Sequence, residues 1–135
     1  MKELTLAATL EDIPKVTAFI DEQLETLDCP MKAQMQIDVA IDELFGNIAH
    51  YAYGESTDDA TVRFDFDEAT RMASVAFIDG GVPFNPLEKA DPDVTLSAEE
   101  RQVGGLGIFM VKKTMDDLTY RYEDGMNVLT LYKHI

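Results

Sequence analysis

Cysteine is almost missing from this chain, and basic residues fall far short of acidic ones. Cys29 is the single cysteine, so there is no partner for an intrachain disulfide and no cysteine cluster for zinc. Eleven Lys and Arg stand against 26 Asp and Glu, a formal net charge of −15, and most of such a surface repels a nucleic-acid backbone or an anionic membrane. No apolar run approaches the roughly 20 residues of a membrane-spanning helix, and residues 1–10 lack the basic-then-apolar order of a signal peptide. These absences lead us to expect a cytoplasmic protein that binds neither nucleic acid directly nor a membrane. What the chain does have, 135 residues of which 46% are hydrophobic and 27% charged, suits one compact domain over residues 1–135.

The hydrophobic pattern changes period along the chain. Residues 3–8 alternate as a short strand, and Glu11-Asp12-Ile13-Pro14 reads as a helix start with proline in the first turn. Val16, Phe19, Ile20, Leu24 and Leu27 form a helical stripe that Asp28-Cys29-Pro30 interrupts. A second, long helix is expected from Pro30, its first position, to about Tyr53, with Gly54 as its stop. Val62, Phe64 and Phe66 alternate with polar residues, Ala69-Thr70-Arg71 makes a turn, and residues 72–79 form the next strand. By period-two parity Asp79 falls on the core face of that strand, with Ala73, Val75 and Phe77. Residues 80–104 read as a long loop rich in proline, acid and glycine, of the kind that often serves as a lid. A third helix over 106–115 precedes two strands, marked by Leu118, Tyr120, Tyr122 and by Val128, Thr130, Tyr132, around an Asp124-Gly125 hairpin turn. The order predicts a two-layer α/β sandwich, a mixed and mainly antiparallel sheet with helices on one face.

Three segments carry side chains with chemical potential. On the second helix Ile37, Ile41, Leu44, Ile48 and Tyr51 form an apolar arc, and Glu43, Asn47 and His50 cluster within about 60° at its margin. Glu43 and Asn47, one turn apart beside a buried seam, offer a proton acceptor and an oxygen ligand for a hard cation such as Mg²⁺; a solvated helix edge explains the same spacing. His50 more readily packs or hydrogen-bonds than performs chemistry. At the end of the third strand, the Asp79 carboxylate needs a donor to offset its desolvation, and an adenine amino group is one. Gly81 allows a ring close to the backbone, although an Asp-Gly-Gly turn capped by its own acid is an equal reading. The third segment, residues 103–113, opens a helix with glycines whose bare N–H groups cradle anions without needing a lysine; Arg101, Lys112 and Lys113 are secondary candidates. It is neither a Walker loop nor a dinucleotide fingerprint.

In this order and at these separations, the segments resemble the N, G1 and G2 boxes of the gyrase, chaperone and histidine-kinase ATPase superfamily. Glu43 to Tyr53, Asp79-Gly80-Gly81-Val82-Pro83-Phe84-Asn85-Pro86, and Gly104-Gly105-Leu106-Gly107 through Met115-Asp116 are most similar to the anti-sigma factor serine/threonine kinases. The resemblance implies an ATP-binding domain in which Glu43 acts as base, Asn47 helps hold Mg²⁺, Asp79 and Gly81 receive adenine, and Gly105, Leu106 and Gly107 wrap the phosphates. The implied reaction moves the γ-phosphoryl group of ATP to a Ser or Thr of an anti-anti-sigma protein, with a sigma factor as the alternative partner; kinases of that family tend to be dimers, and the apolar alternation of the first strand allows edge pairing in a homodimer. The competing readings are an ATP-binding regulatory module without phosphoryl transfer, the ATPase domain of a histidine kinase, and a plain interaction protein.

Overall fold

The structure, a computed structural model, describes residues 1–51, 59–88 and 105–135. The expected helix stop at Gly54, most of the expected lid, Arg101 and Gly104 lie outside those residues. Within them the chain runs β1 (Lys2–Ala7), a 3-10 turn (Leu10–Asp12), α1 (Ile13–Thr26), α2 (Met31–Tyr51), β2 (Asp59–Asp67), β3 (Met72–Asp79), a second 3-10 turn (Pro86–Glu88), α3 (Gly105–Thr114), β4 (Asp117–Glu123) and β5 (Met126–His134). The described strands form one sheet in the order β1-β2-β3-β5-β4, antiparallel at every pairing.

The sheet offers one face to the helices, and the alternation read from sequence decides which. Ala60, Val62 and Phe64 of β2, Ala73, Val75, Phe77 and Asp79 of β3, and Asn127, Leu129 and Leu131 of β5 are all buried. The helical stripes meet them. Val16, Ile20 and Leu24 of α1 and Ile37, Ile41, Leu44 and Ile48 of α2 are buried, with Phe19 and Leu27 packed at the margin. Phe45 stacks on the sheet through Phe77, ring centroids 6.4 Å apart and tilted by 48°. α2 therefore lies across the ends of β3 and β5, where the polar residues of the core face sit.

Local chemistry fixes the ends of these elements. Pro14 occupies the first turn of α1. Pro30 stands one residue before α2 rather than inside it, its carbonyl accepting the Gln34 N–H at 3.0 Å. Asp124 and Gly125 both take positive φ, 54° and 77°, as a two-residue hairpin turn of matching twist requires. Arg71, itself at φ 53°, donates to the carbonyls of Leu27 and Ile135, both at 2.9 Å, and so ties the end of α1 and the C-terminal residue to the β2–β3 turn.

One feature of the helical layer was not expected. Asp21 of α1 and Asp38 of α2 meet between the helices, each with a buried Oδ1 that finds no donor among the described residues. Burial, the hydrogen bond that a protonated Asp38 donates to Asp21 and the charge of Asp21 push the Asp38 carboxyl from 3.8 up to about 7. A carboxyl raised on folding disfavours the fold where it must ionise. That cost is absent near pH 4, grows as the pH rises toward 7 and is complete above it. Asp38→Asn supplies a neutral donor to Asp21, so its thermal midpoint exceeds the unaltered protein's at pH 8, with the gap closing toward pH 4. A gap independent of pH, measured by calorimetry, would place the cost elsewhere.

Candidate functional site

The buried end of β3 organises the site. Asp79 is only 3% exposed, and the β3–β5 register sets Asn127 directly opposite it. Its Oδ1 accepts two hydrogen bonds, from the Gly81 N–H and from Asn127 Nδ2, both at 3.0 Å. Burial pushes the carboxyl above its ordinary range, and these two donors pull it back toward the ionised form. Because both bonds fall on Oδ1, the carboxylate is held at one edge while it lines the neighbouring cavity.

Asn127 does more than pair with Asp79. Its Nδ2 also donates to the Val82 carbonyl at 2.9 Å and reaches the Gly81 carbonyl at 3.4 Å. Its Oδ1 accepts the Phe84 N–H at 3.2 Å and the hydroxyl of Tyr120. One carboxamide thereby holds residues 81–84 against the sheet, and Asn85 Oδ1 then accepts the Leu87 N–H at 2.9 Å to start the following 3-10 turn. Sequence reasoning missed Asn127 and Tyr120. The signal was present: in the hairpin around Asp124-Gly125, Asn127 and Tyr120 share the parity of Leu129, so a polar pair falls on a core face.

These groups enclose a cavity of about 20 Å³, room for about one water molecule, whose walls include Asn47 and Leu44 of α2, Asp79, Val82, Phe84 and Asn127. Asn47 is buried, and its Nδ2 has no hydrogen-bond partner among the described residues. A buried amide left unsatisfied is costly, and at a cavity wall it marks a position for a polar ligand.

One turn before Asn47 on α2, Glu43 is half-buried and reaches toward α3. Its carboxylate lies so close to Gly107 that a Cβ on that residue would fall on the carboxyl atoms. A side chain at 107 would push the Glu43 carboxylate aside, so glycine there is what leaves the carboxylate in this place. Gly105 and Leu106 are the first two residues of α3, where backbone N–H groups lack helical acceptors.

The structure therefore brings Asp79, Gly81 and Asn47 together around one cavity and Glu43 against Gly107 beside it. It does not bring Lys112 or Lys113 to the start of α3. Both are in the last turn of that helix, where Lys113 lies over the Phe109 ring, 5.3 Å from its centroid. The Asp79–Gly81 bond also realises the capped turn that was the competing reading of that segment, and the cavity lies beside it.

Comparison with known proteins places the chain in a family. The histidine kinase-like ATPase domain matches residues 6–133. The serine/threonine-protein kinase BtrW of Bordetella bronchiseptica is 26% identical over 103 residues, 76% of this chain and 72% of that protein. The serine-protein kinases RsbW of Bacillus mycoides and Bacillus cereus are each 34% identical over 95 residues, 67% of this chain. Those matches span 58% of the Bacillus proteins, less than two thirds of their length.

Asn127→Ala should remove the shared support of Asp79 and residues 81–84. The expected loss is about 1–3 kcal/mol in urea denaturation, the cost of leaving buried acceptors unmet. Tyr120→Phe, which removes one of the five contacts, should cost less than Asn127→Ala. Equal losses for the two variants would show that the tyrosine hydroxyl, not the carboxamide, carries the support.

Proposed function

Because the chain belongs to the histidine kinase-like ATPase family, we propose that it is an ATP-dependent protein serine/threonine kinase of the anti-sigma factor kind. In this reading it phosphorylates an anti-anti-sigma protein, and it binds a sigma factor when that antagonist is phosphorylated, so that transcription is regulated by exchange of partners. The observation that carries the reading is the buried Asp79 carboxylate, oriented by Asn127 and Gly81, on the same cavity as the unsatisfied Asn47. A carboxylate oriented in this way accepts a hydrogen bond from the exocyclic amino group of adenine and opposes the carbonyl that guanine carries there. At about 20 Å³ the cavity has room for about one water molecule, so a purine ring requires it to open.

The remaining groups divide the work of phosphoryl transfer. The N–H groups at the start of α3, around Gly105, Leu106 and Gly107, face the phosphates, where the positive end of the helix dipole favours negative charge. The Asn47 carboxamide supplies an oxygen suited to Mg²⁺, while its unpartnered Nδ2 is a donor that suits a phosphate oxygen or a metal-bound water. Magnesium would offset charge on the phosphate oxygens. Glu43 accepts the proton of the partner's Ser or Thr hydroxyl as that oxygen bonds to the γ-phosphorus and the bond to the bridging oxygen of ADP breaks. Catalysis here is chiefly positioning and electrostatics. β1 is an edge strand of the described sheet, which supports dimerisation by strand pairing with a second copy.

Two measurements test this reading. In equilibrium titrations, the unaltered chain should prefer Mg-ATP to Mg-GTP, and Asp79→Asn should weaken ATP binding by about tenfold or more, the scale of one lost charge-assisted hydrogen bond. Equal affinity for the two nucleotides in the unaltered protein would overturn the purine assignment. Glu43→Ala should keep ATP affinity within about tenfold, near 1.4 kcal/mol, yet abolish transfer of radiolabelled phosphate to the partner. Transfer at the unaltered rate would remove Glu43 from the reaction, and no transfer by the unaltered chain to any anti-anti-sigma protein would leave a regulatory ATP-binding module.

A further inference from the structure

An apolar groove runs between α2 and α3 on the outer side of the helical layer. It encloses about 490 Å³ and is lined by Met31, Lys32, Met35 and Val39 of α2 and by Met110 and Thr114 of α3. Met31, Met35 and Val39, at the i, i+4 and i+8 positions of one stripe, are 70%, 60% and 61% exposed. In so acidic a chain a large exposed apolar stripe needs an explanation, and contiguous apolar exposure marks an interaction surface more often than a solvent face. Methionine is also the residue that adapts best to an irregular partner.

The position of the groove indicates what occupies it. Glu43 is one turn beyond Val39 on α2, about 6 Å along the axis, and Gly107 is one turn before Met110 on α3. The same two helices that form the groove thus bring the Glu43 carboxylate against Gly107 at its far end. At the near end Lys32 lines the groove, and Lys113 is in the same last turn of α3 as the lining residue Thr114. With a net charge of −15, most of this surface repels an acidic protein, and the Lys32 end is a place where one is tolerated.

We propose that this groove docks the protein that receives the phosphoryl group, through an apolar segment with an acidic flank at the Lys32 end, which delivers its hydroxyl to Glu43 at the other. The proposal rests on the kinase reading and adds to it the surface that selects the partner. Docking energy gained in the groove, away from the reacting atoms, positions the hydroxyl and appears in the acceptor KM rather than in nucleotide affinity.

The test uses the full chain and the anti-anti-sigma protein on which the transfer assay reads. Met35→Glu and Val39→Glu should each raise the KM for that protein by about tenfold or more, with Mg-ATP affinity and kcat at saturating acceptor within about twofold. Met35→Leu, which keeps the apolar surface, should restore the KM. Lys32→Glu should raise the KM as well and weaken its dependence on salt. The substituted side chains are exposed, so thermal midpoints should match the unaltered protein, and Met35→Leu controls for any that do not. Transfer with an unchanged acceptor KM in both glutamate variants overturns the docking proposal and leaves the kinase reading intact. Absence of transfer by the unaltered chain overturns both. If sedimentation shows Met35→Glu splitting a dimer while the acceptor KM stays constant, the groove belongs to a second copy and the proposal fails.

Discussion

A carboxylate on the core face of a strand end must be met by donors, and the burial of Asp79 sets the terms for the structure around it. The first donor is the N–H two residues on, at Gly81, which bends the chain immediately after β3. The second comes from Asn127, which the β3–β5 register places opposite. Once Asn127 is fixed there, its remaining valences are available to residues 81–84, and they are used. The shape of the loop after β3 therefore follows from how one buried charge is solvated. A hydrophobic residue at 79 would still line the cavity with Leu44 and Leu129, but it would remove the acceptor that Gly81 N–H and Asn127 Nδ2 share.

The second constraint is close approach. α2 and α3 can bring Glu43 and the start of α3 together because residue 107 has no side chain. A carboxylate at a helix N-terminus is stabilised by the dipole and by N–H groups without helical acceptors. The arrangement is also one that a phosphate would compete for. The same α2 carries Asn47 one turn on, at the cavity wall that Asp79 shares, so a single helix spans the distance between the purine end and the phosphate end of the proposed site.

Much of this was legible in the sequence because it depends on periodicity and parity. Alternation placed Phe77 and Asp79 on one face, the apolar arc of α2 put Glu43 and Asn47 at its margin, and Asp124-Gly125 marked the hairpin. The antiparallel pairing of every described strand and the helices on one sheet face agree with the order of elements. What could not be read was pairing across the sheet. Asn127 sits in a segment whose alternation was taken from Val128, Thr130 and Tyr132 on the opposite face, and its role appears only when the register with β3 is known. The Asp21–Asp38 contact was hidden for a similar reason, since each acid reads as part of a solvated helix face until α1 and α2 are docked. The apolar stripe of Met31, Met35 and Val39 is the converse case. Propensity accommodates it in a helix, and only the packing reveals that it faces outward.

The charge balance bears on the chemistry as well as on solubility. Several described basic side chains are already engaged structurally: Lys15 with Asp12, Arg63 with Glu3, Arg121 with Glu123, Lys133 with the Thr114 carbonyl and Arg71 with two carbonyls. In the kinase reading, phosphate charge is then met mainly by backbone N–H groups and a metal rather than by a cluster of lysines. Neutral N–H donors at a glycine-opened helix start hold an anion without a cation of their own, so in that reading the acidic chain leaves charge neutralisation to the metal and directionality to the backbone.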